Sequence, residues 1–173
     1  QGTDTYTYFK DGNLAIFDTK GAQVGAINLQ KLSETYKIEG FPNITYIDGN
    51  QVVVETSDHF YIYDYLIERP IISITIPEKA ENRIYNHQQK AVAYTMDNNL
   101  FLATESDPRF PIAVSKDENI ISGQFIHRNE FGIQGGIFWS PKGNYIAFYV
   151  KDVSQVQDYP LVDINTTPAT LKN

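Results

Sequence analysis

Between Thr5 and Val114 the chain alternates short apolar or aromatic runs with turn residues, and this alternation restricts the fold more than any other feature. Thr5 to Phe9, Lys10-Asp11-Gly12-Asn13 and Leu14 to Asp18 read as strand, tight turn, strand. Asp-Gly between two such runs is a strong hairpin signal, because both residues tolerate positive φ. Lys20-Gly21 turns the chain into Val24 to Leu29. The scheme returns at Ile44-Thr45-Tyr46, Asp48-Gly49-Asn50 and Gln51 to Thr56, followed by Ser57-Asp58 and His59 to Asp64. Ile71 to Ile76 follows, closed by Pro77. A third round runs through Arg83-Ile84-Tyr85, Ala91 to Thr95, Asp97-Asn98, Asn99 to Thr104 and Ile112 to Val114. Leu29 to Tyr36 stays open between one or two helical turns and a loop.

Three apolar quartets, starting at Leu14, Phe60 and Leu100, each follow a turn and hold the same place in their round. Their starts lie roughly 40 to 46 residues apart, near the period of four-stranded propeller blades. The spacing grows before a fourth round, and the added residues include His127-Arg128-Asn129-Glu130. Insertions of this kind map to one face of a repeat, often the binding face. The expectation is an all-β chain: one partial β-propeller over 1–173, with units near 1–30, 41–77, 81–116 and 120–167. High aromatic content, 13% with twelve Tyr and ten Phe, suits pleated sheets.

The fourth round carries the most specific pattern. Gly136 to Trp139 is a strand-like run, Ser140-Pro141-Lys142-Gly143-Asn144 is turn chemistry, and Tyr145 to Val150 is a second run. A third run at Tyr159 to Ile164 completes an expected antiparallel meander. Phe138-Trp139-Ser140-Pro141-Lys142-Gly143-Asn144, Ala147-Phe148-Tyr149 and Asp158-Tyr159-Pro160-Leu161-Val162 together resemble the N-terminal propeller of dipeptidyl peptidase IV-type serine peptidases. The version most similar is that of Bacteroides-like bacteria, and the close match covers Phe125 to Asn173. Glu130-Phe131-Gly132 ahead of the Trp-Ser-Pro turn strengthens the resemblance.

The resemblance implies a propeller of about eight blades, so this chain would carry about half of one. It also implies an α/β-hydrolase domain beyond Asn173 that bears the catalytic residues. No Gly-x-Ser-x-Gly nucleophile elbow occurs in the chain, so no catalytic residue is assigned to it. In the family, two adjacent Glu on a propeller insertion grip the substrate's free amino terminus through charge-assisted hydrogen bonds. Aligned on Glu-Phe-Gly, the second falls on Glu130 and the first on Asn129. A neutral acceptor facing an ammonium gives up about 1–2 kcal/mol against a charged one. Arg128 is placed to neutralise Glu130 instead. The family also supplies an Arg that meets the substrate's backbone carbonyl, expected in the second unit, yet no Arg stands between Ile44 and Leu66.

The implied role is to shape the active-site cavity and recognise a peptide's amino terminus for an exopeptidase of the bacterial periplasm or exterior. The alternative is a non-catalytic propeller that binds peptides or proteins as a scaffold. A net charge of −7 argues against nucleic acid, which calls for a basic stripe. No apolar run is long enough to span a membrane. No charged-then-apolar leader stands at Gln1, so any signal peptide would lie outside this sequence. The absence of Cys excludes disulfides and thiolate metal sites. His59, His87 and His127 lack ligand spacing, and Asp97-Asn98-Asn99 and Asp117-Glu118-Asn119 lack the pattern of a calcium loop. No metal or cofactor is expected. Two sequons, at Asn43 and Asn165, read as chance in a bacterial source. Trp139 and Tyr149 are expected to pack between blades. Open blade edges leave room for a homodimer.

Overall fold

A computed structural model describes residues 5–125, 132, 134–157, 161–163, 165, 167–168 and 170–172. Each hairpin signal produced a hairpin. β1 (Thr5–Lys10) pairs with β2 (Asn13–Asp18) across Asp11 and Gly12, both at positive φ. β3 (Gln23–Asn28) completes a three-stranded antiparallel sheet. β4 (Asn43–Asp48), β5 (Gln51–Glu55), β6 (His59–Asp64) and β7 (Arg69–Thr75) form a four-stranded antiparallel sheet in sequence order. β8 (Glu81–Asn86), β9 (Ala91–Met96), β10 (Asn99–Ala103) and β11 (Phe110–Ala113) form another. Pro70 and Pro111 both fall in edge strands, β7 and β11, where a missing N–H breaks no ladder. The chain is a partial β-propeller.

The open segment at 29–36 is a helix, α1 (Leu29–Tyr36). The Asn28 side chain accepts a hydrogen bond from the Lys31 amide at 2.8 Å, capping its start. Lys37, at φ 51°, ends it, and Ile38 N–H donates to Ser33 O. Leu29 and Leu32 share one face and are buried.

Side-chain alternation explains how the sheets stack. In β5, Val52 and Val54 face the first sheet and α1, packing with Ile16, Ile27 and Leu32. Val53 points the other way and joins Phe60, Ile62, Ile74, Val92 and Tyr94 between the two four-stranded sheets. In β9, Val92, Tyr94 and Met96 belong to that same core, while Ala93 faces a third one with Leu100 and Ile137. A strand buried on both faces reads as a near-continuous apolar run, which is the character of Ala91 to Met96, broken only by Thr95, whose hydroxyl accepts from Asn82 Nδ2.

β12 (Ile120–Ser122) pairs with β15 (Val150–Asp152), and β13 (Ile137–Trp139) pairs with β14 (Ile146–Phe148). β16 (Leu161–Asp163) pairs with β17 (Thr170–Lys172). The expected three-run meander therefore holds only for its first hairpin. Tyr149 N–H donates to Gly136 O and its carbonyl accepts from Gly123 N–H. Residues 146–152 are thus flanked first by β13 and then by β12. The run at 161–163 pairs onward instead. Trp139 packs on the third core and donates from Nε1 to Ile84 O at 3.2 Å, joining its hairpin to β8. Tyr149 meets Phe138 edge-on at 5.5 Å, inside its own hairpin region.

Candidate functional site

One end of the stacked sheets gathers turns that are distant in sequence. Arg83, near the start of β8, donates from Nη1 to Thr56 O in the β5–β6 turn and from Nε to Ala80 O, both at 3.1 Å. The same end of β8 pairs with the end of β9, where Asn82 Nδ2 donates to Thr95 Oγ1 at 2.7 Å. The β9–β10 turn follows. Its Asn98 O accepts from Ser122 N–H at 2.8 Å, and its Oδ1 accepts from Gln124 Nε2 at 3.3 Å. Residues 56–58, 97–98 and 123–124 are thereby linked along one sheet end.

Gly123 fixes the last of these contacts. Its φ is +76°, and an added Cβ would lie 2.9 Å from Thr95 Cγ2 and 3.1 Å from Leu100 Cδ1. Only glycine lets the backbone turn here while lying on the β9–β10 hairpin. Asn129 and Glu130, with Arg128 and His127, lie outside the described residues. Phe125, the described residue just before them, follows directly from this anchored root.

No arginine stands between Ile44 and Leu66, yet one reaches the β5–β6 turn from the next sheet, namely Arg83. Its side chain is 19% exposed, and Nη1 stands 4.0 Å from Glu55 Oε1. Sequence reading missed it because the partner is 27 residues away along the chain. Glu55 also accepts from Asn43 Nδ2 at 3.0 Å. Burial raises its carboxyl above the ordinary value, against the smaller opposing pull of Arg83.

Beside this turn lies a groove of about 790 Å³ between α1, the 37–43 connection and residues 55–61. Glu39, Glu55 and Asp58 line it with Lys37. Tyr36 and Tyr61 also line it, and with His59 they form a ladder of rings. His59 stacks on Tyr61 at 5.2 Å, and Tyr61 meets Tyr36 at 4.4 Å. Burial raises both phenols, so they stay protonated at neutral pH. Asp58 is lowered, chiefly by His59, whose Nδ1 lies 3.1 Å away, and further by Thr56 Oγ1 at 3.0 Å. His59 and His87 sit apart, against Asp58 and Asp48 respectively. Among the described residues no group of three or more His, Asp or Glu is placed to hold a metal ion. No helix among them is long and apolar enough to cross a membrane.

Comparison with known proteins bears on this geometry. The family described as dipeptidyl peptidase IV (DPP IV) N-terminal region matches residues 47–172, reaching well upstream of Phe125. A Talaromyces marneffei protein named as a dipeptidyl-aminopeptidase B is 28% identical over 104 residues, covering 56% of this chain and 12% of that protein. An Ajellomyces capsulatus protein of the same name is 32% identical over 82 residues, covering 44% of this chain and 9% of its own. The crystal structure of a Bacteroides ovatus protein assigned as a dipeptidyl aminopeptidase IV superposes with a TM-score of 0.74 at 30% identity. That match covers 99% of this chain and 25% of that one. The chain thus spans only a small part of the relatives it matches.

Proposed function

The chain belongs to the dipeptidyl peptidase IV N-terminal region family, and from that membership we propose that it forms part of the substrate entrance of a serine-type dipeptidyl peptidase. In this reading the sheet end that gathers the turns faces the active-site cavity. Glu130, aided by Asn129 as a neutral acceptor, holds the peptide's amino terminus. Hydrolysis belongs to an α/β-hydrolase domain of the same protein, and the whole works in the bacterial periplasm or outside the cell. The observation that carries the reading is the rigid root ahead of residues 126–131. Gly123 packs on the β9–β10 hairpin and Gln124 is tied to Asn98. A carboxylate that selects an ammonium needs such a fixed support.

A second reading, a propeller that binds without catalysis, is favoured by Asn129 in place of a carboxylate and by Arg83 being engaged with Thr56 O and Ala80 O. The reading frame beyond Asn173 separates the two. Gly-x-Ser-x-Gly followed by Asp and His supports the peptidase, and their absence ends it. With them present, Glu130→Ala in the complete protein should lower kcat/KM on a Gly-Pro chromogenic substrate by about tenfold or more, the worth of one charged hydrogen bond. An unchanged kcat/KM removes Glu130 from the role.

A further inference from the structure

We propose that the groove between α1 and the β5–β6 turn binds the alkylammonium or guanidinium group of a basic peptide side chain. The volume, about 790 Å³, falls in the range of ligand pockets. Its walls combine acids and rings. Glu39, Glu55 and Asp58 supply carboxylates against Lys37 as the basic residue of the lining. Tyr36, backed by Tyr61, adds aromatic surface beside these carboxylates, and acids with rings together recognise organic cations.

The site is also pre-built. Tyr61 is held between His59 and Tyr36, so its ring needs little ordering when a guest arrives. Asp58 is held by the Thr56 hydroxyl, which donates to it at 3.0 Å, with His59 Nδ1 standing 3.1 Å away. Glu55 is a half-buried carboxylate whose Arg83 partner stands at 4.0 Å, the long end of an ion pair. An incoming cation would complete its pairing. The size favours a flexible basic side chain over a bare ion, and among the described residues no group of three or more carboxylates or histidines is placed to hold a metal. This inference uses none of residues 126–131 and stands apart from the amino-terminal reading.

The 173-residue chain would be titrated, with NMR detection, with four probes. They are Nα-acetyl-lysine amide, Nα-acetyl-arginine amide, the isosteric Nα-acetyl-norleucine amide, and glycylproline amide as a free-amine arm. The lysine and arginine amides should bind saturably and perturb Tyr36 and Tyr61, with norleucine amide silent. Glu55→Gln and Asp58→Asn should each weaken binding about tenfold, and Tyr61→Leu about two- to fivefold. Asp58 sits in an exposed turn, so its variant should fold like the parent, which far-ultraviolet dichroism checks. Glu130→Ala should leave the acetylated probes unaffected and weaken only glycylproline amide. Equal binding of norleucine amide would overturn the proposal. So would unchanged lysine affinity in Asp58→Asn, or binding confined to glycylproline amide.

Discussion

Replacing Arg83 with Met tests whether the stacked sheets are tied at the turn end by this one side chain. Met keeps an unbranched apolar stem of similar reach, so the packing contribution is largely retained. What goes is the guanidinium, which donates to Thr56 O and Ala80 O, each at 3.1 Å. Hydrogen bonds to charged groups contribute about 1.5–3 kcal/mol each, and the low end applies because water can reach the freed carbonyls. The loss at neutral pH is therefore about 3 kcal/mol. In a chain of this size that lowers Tm by about 6–12 °C.

The pH dependence of this loss has a definite sign. Folding raises the Glu55 carboxyl above its ordinary value of 4.5. Its favourable contribution is present below that value and is lost as pH rises through the higher folded value. Arg83 opposes the shift, so removing it pushes Glu55 further up. The gap between variant and parent should widen from pH 4 to pH 7. Thermal unfolding can be followed through the lone Trp, whose Nε1 donates to Ile84 O on the same strand as Arg83. A fall of less than about 2 °C at pH 7 would refute the clamp. A gap of equal size at both pH values would refute the coupling to Glu55.

Two further outcomes follow from the same region. Gly123→Ala should cost about 2–3 kcal/mol in urea unfolding. The left-handed conformation supplies about 1–2 kcal/mol, and the contact of the new Cβ with Thr95 and Leu100 supplies the rest. A loss under about 1 kcal/mol would show that the root can relax. Glu55→Gln keeps an acceptor for Asn43 and removes the desolvated charge, so its Tm should equal or exceed the parent's at pH 7 and converge on it below pH 4.5. A Tm below the parent's at pH 7 would mean that the Arg83 pairing outweighs burial.

The strands were legible because their signals are local. Asp11-Gly12 and Gly49-Asn50 mark turns in two residues, and period-two alternation assigns Val52 and Val54 to one face and Val53 to the other. α1 stays ambiguous in sequence because eight residues with two buried leucines carry little periodic signal; Asn28, three residues before the Lys31 amide it caps, is the available cue. The fate of 145–152 was not legible. Whether one strand is flanked by one partner or two depends on Gly136, where a Cβ would lie 2.3 Å from the Gln124 carbonyl carbon. That close approach leaves no trace in hydrophobic pattern.

The candidate site was less legible than the fold for a related reason. Motif resemblance pointed to Asn129 and Glu130, a contiguous pair, because motifs are contiguous. The groove and the Arg83 clamp draw instead on Tyr36, Glu39, Glu55, Asp58 and Arg83, which come from a helix, a connection, two sheets and a turn. Antiparallel sheets stacked in register bring one turn of each sheet to a common end. A turn needs only a few backbone conformations, which Asp, Ser, Thr and Asn all satisfy. Its side chains are then free to carry charge without disturbing the strands, while the stack decides which charges meet. At this end the meeting charges are carboxylates beside stacked rings, with Arg83 drawn inward to the backbone carbonyls. That distribution favours positively charged guests over anionic ones in the groove.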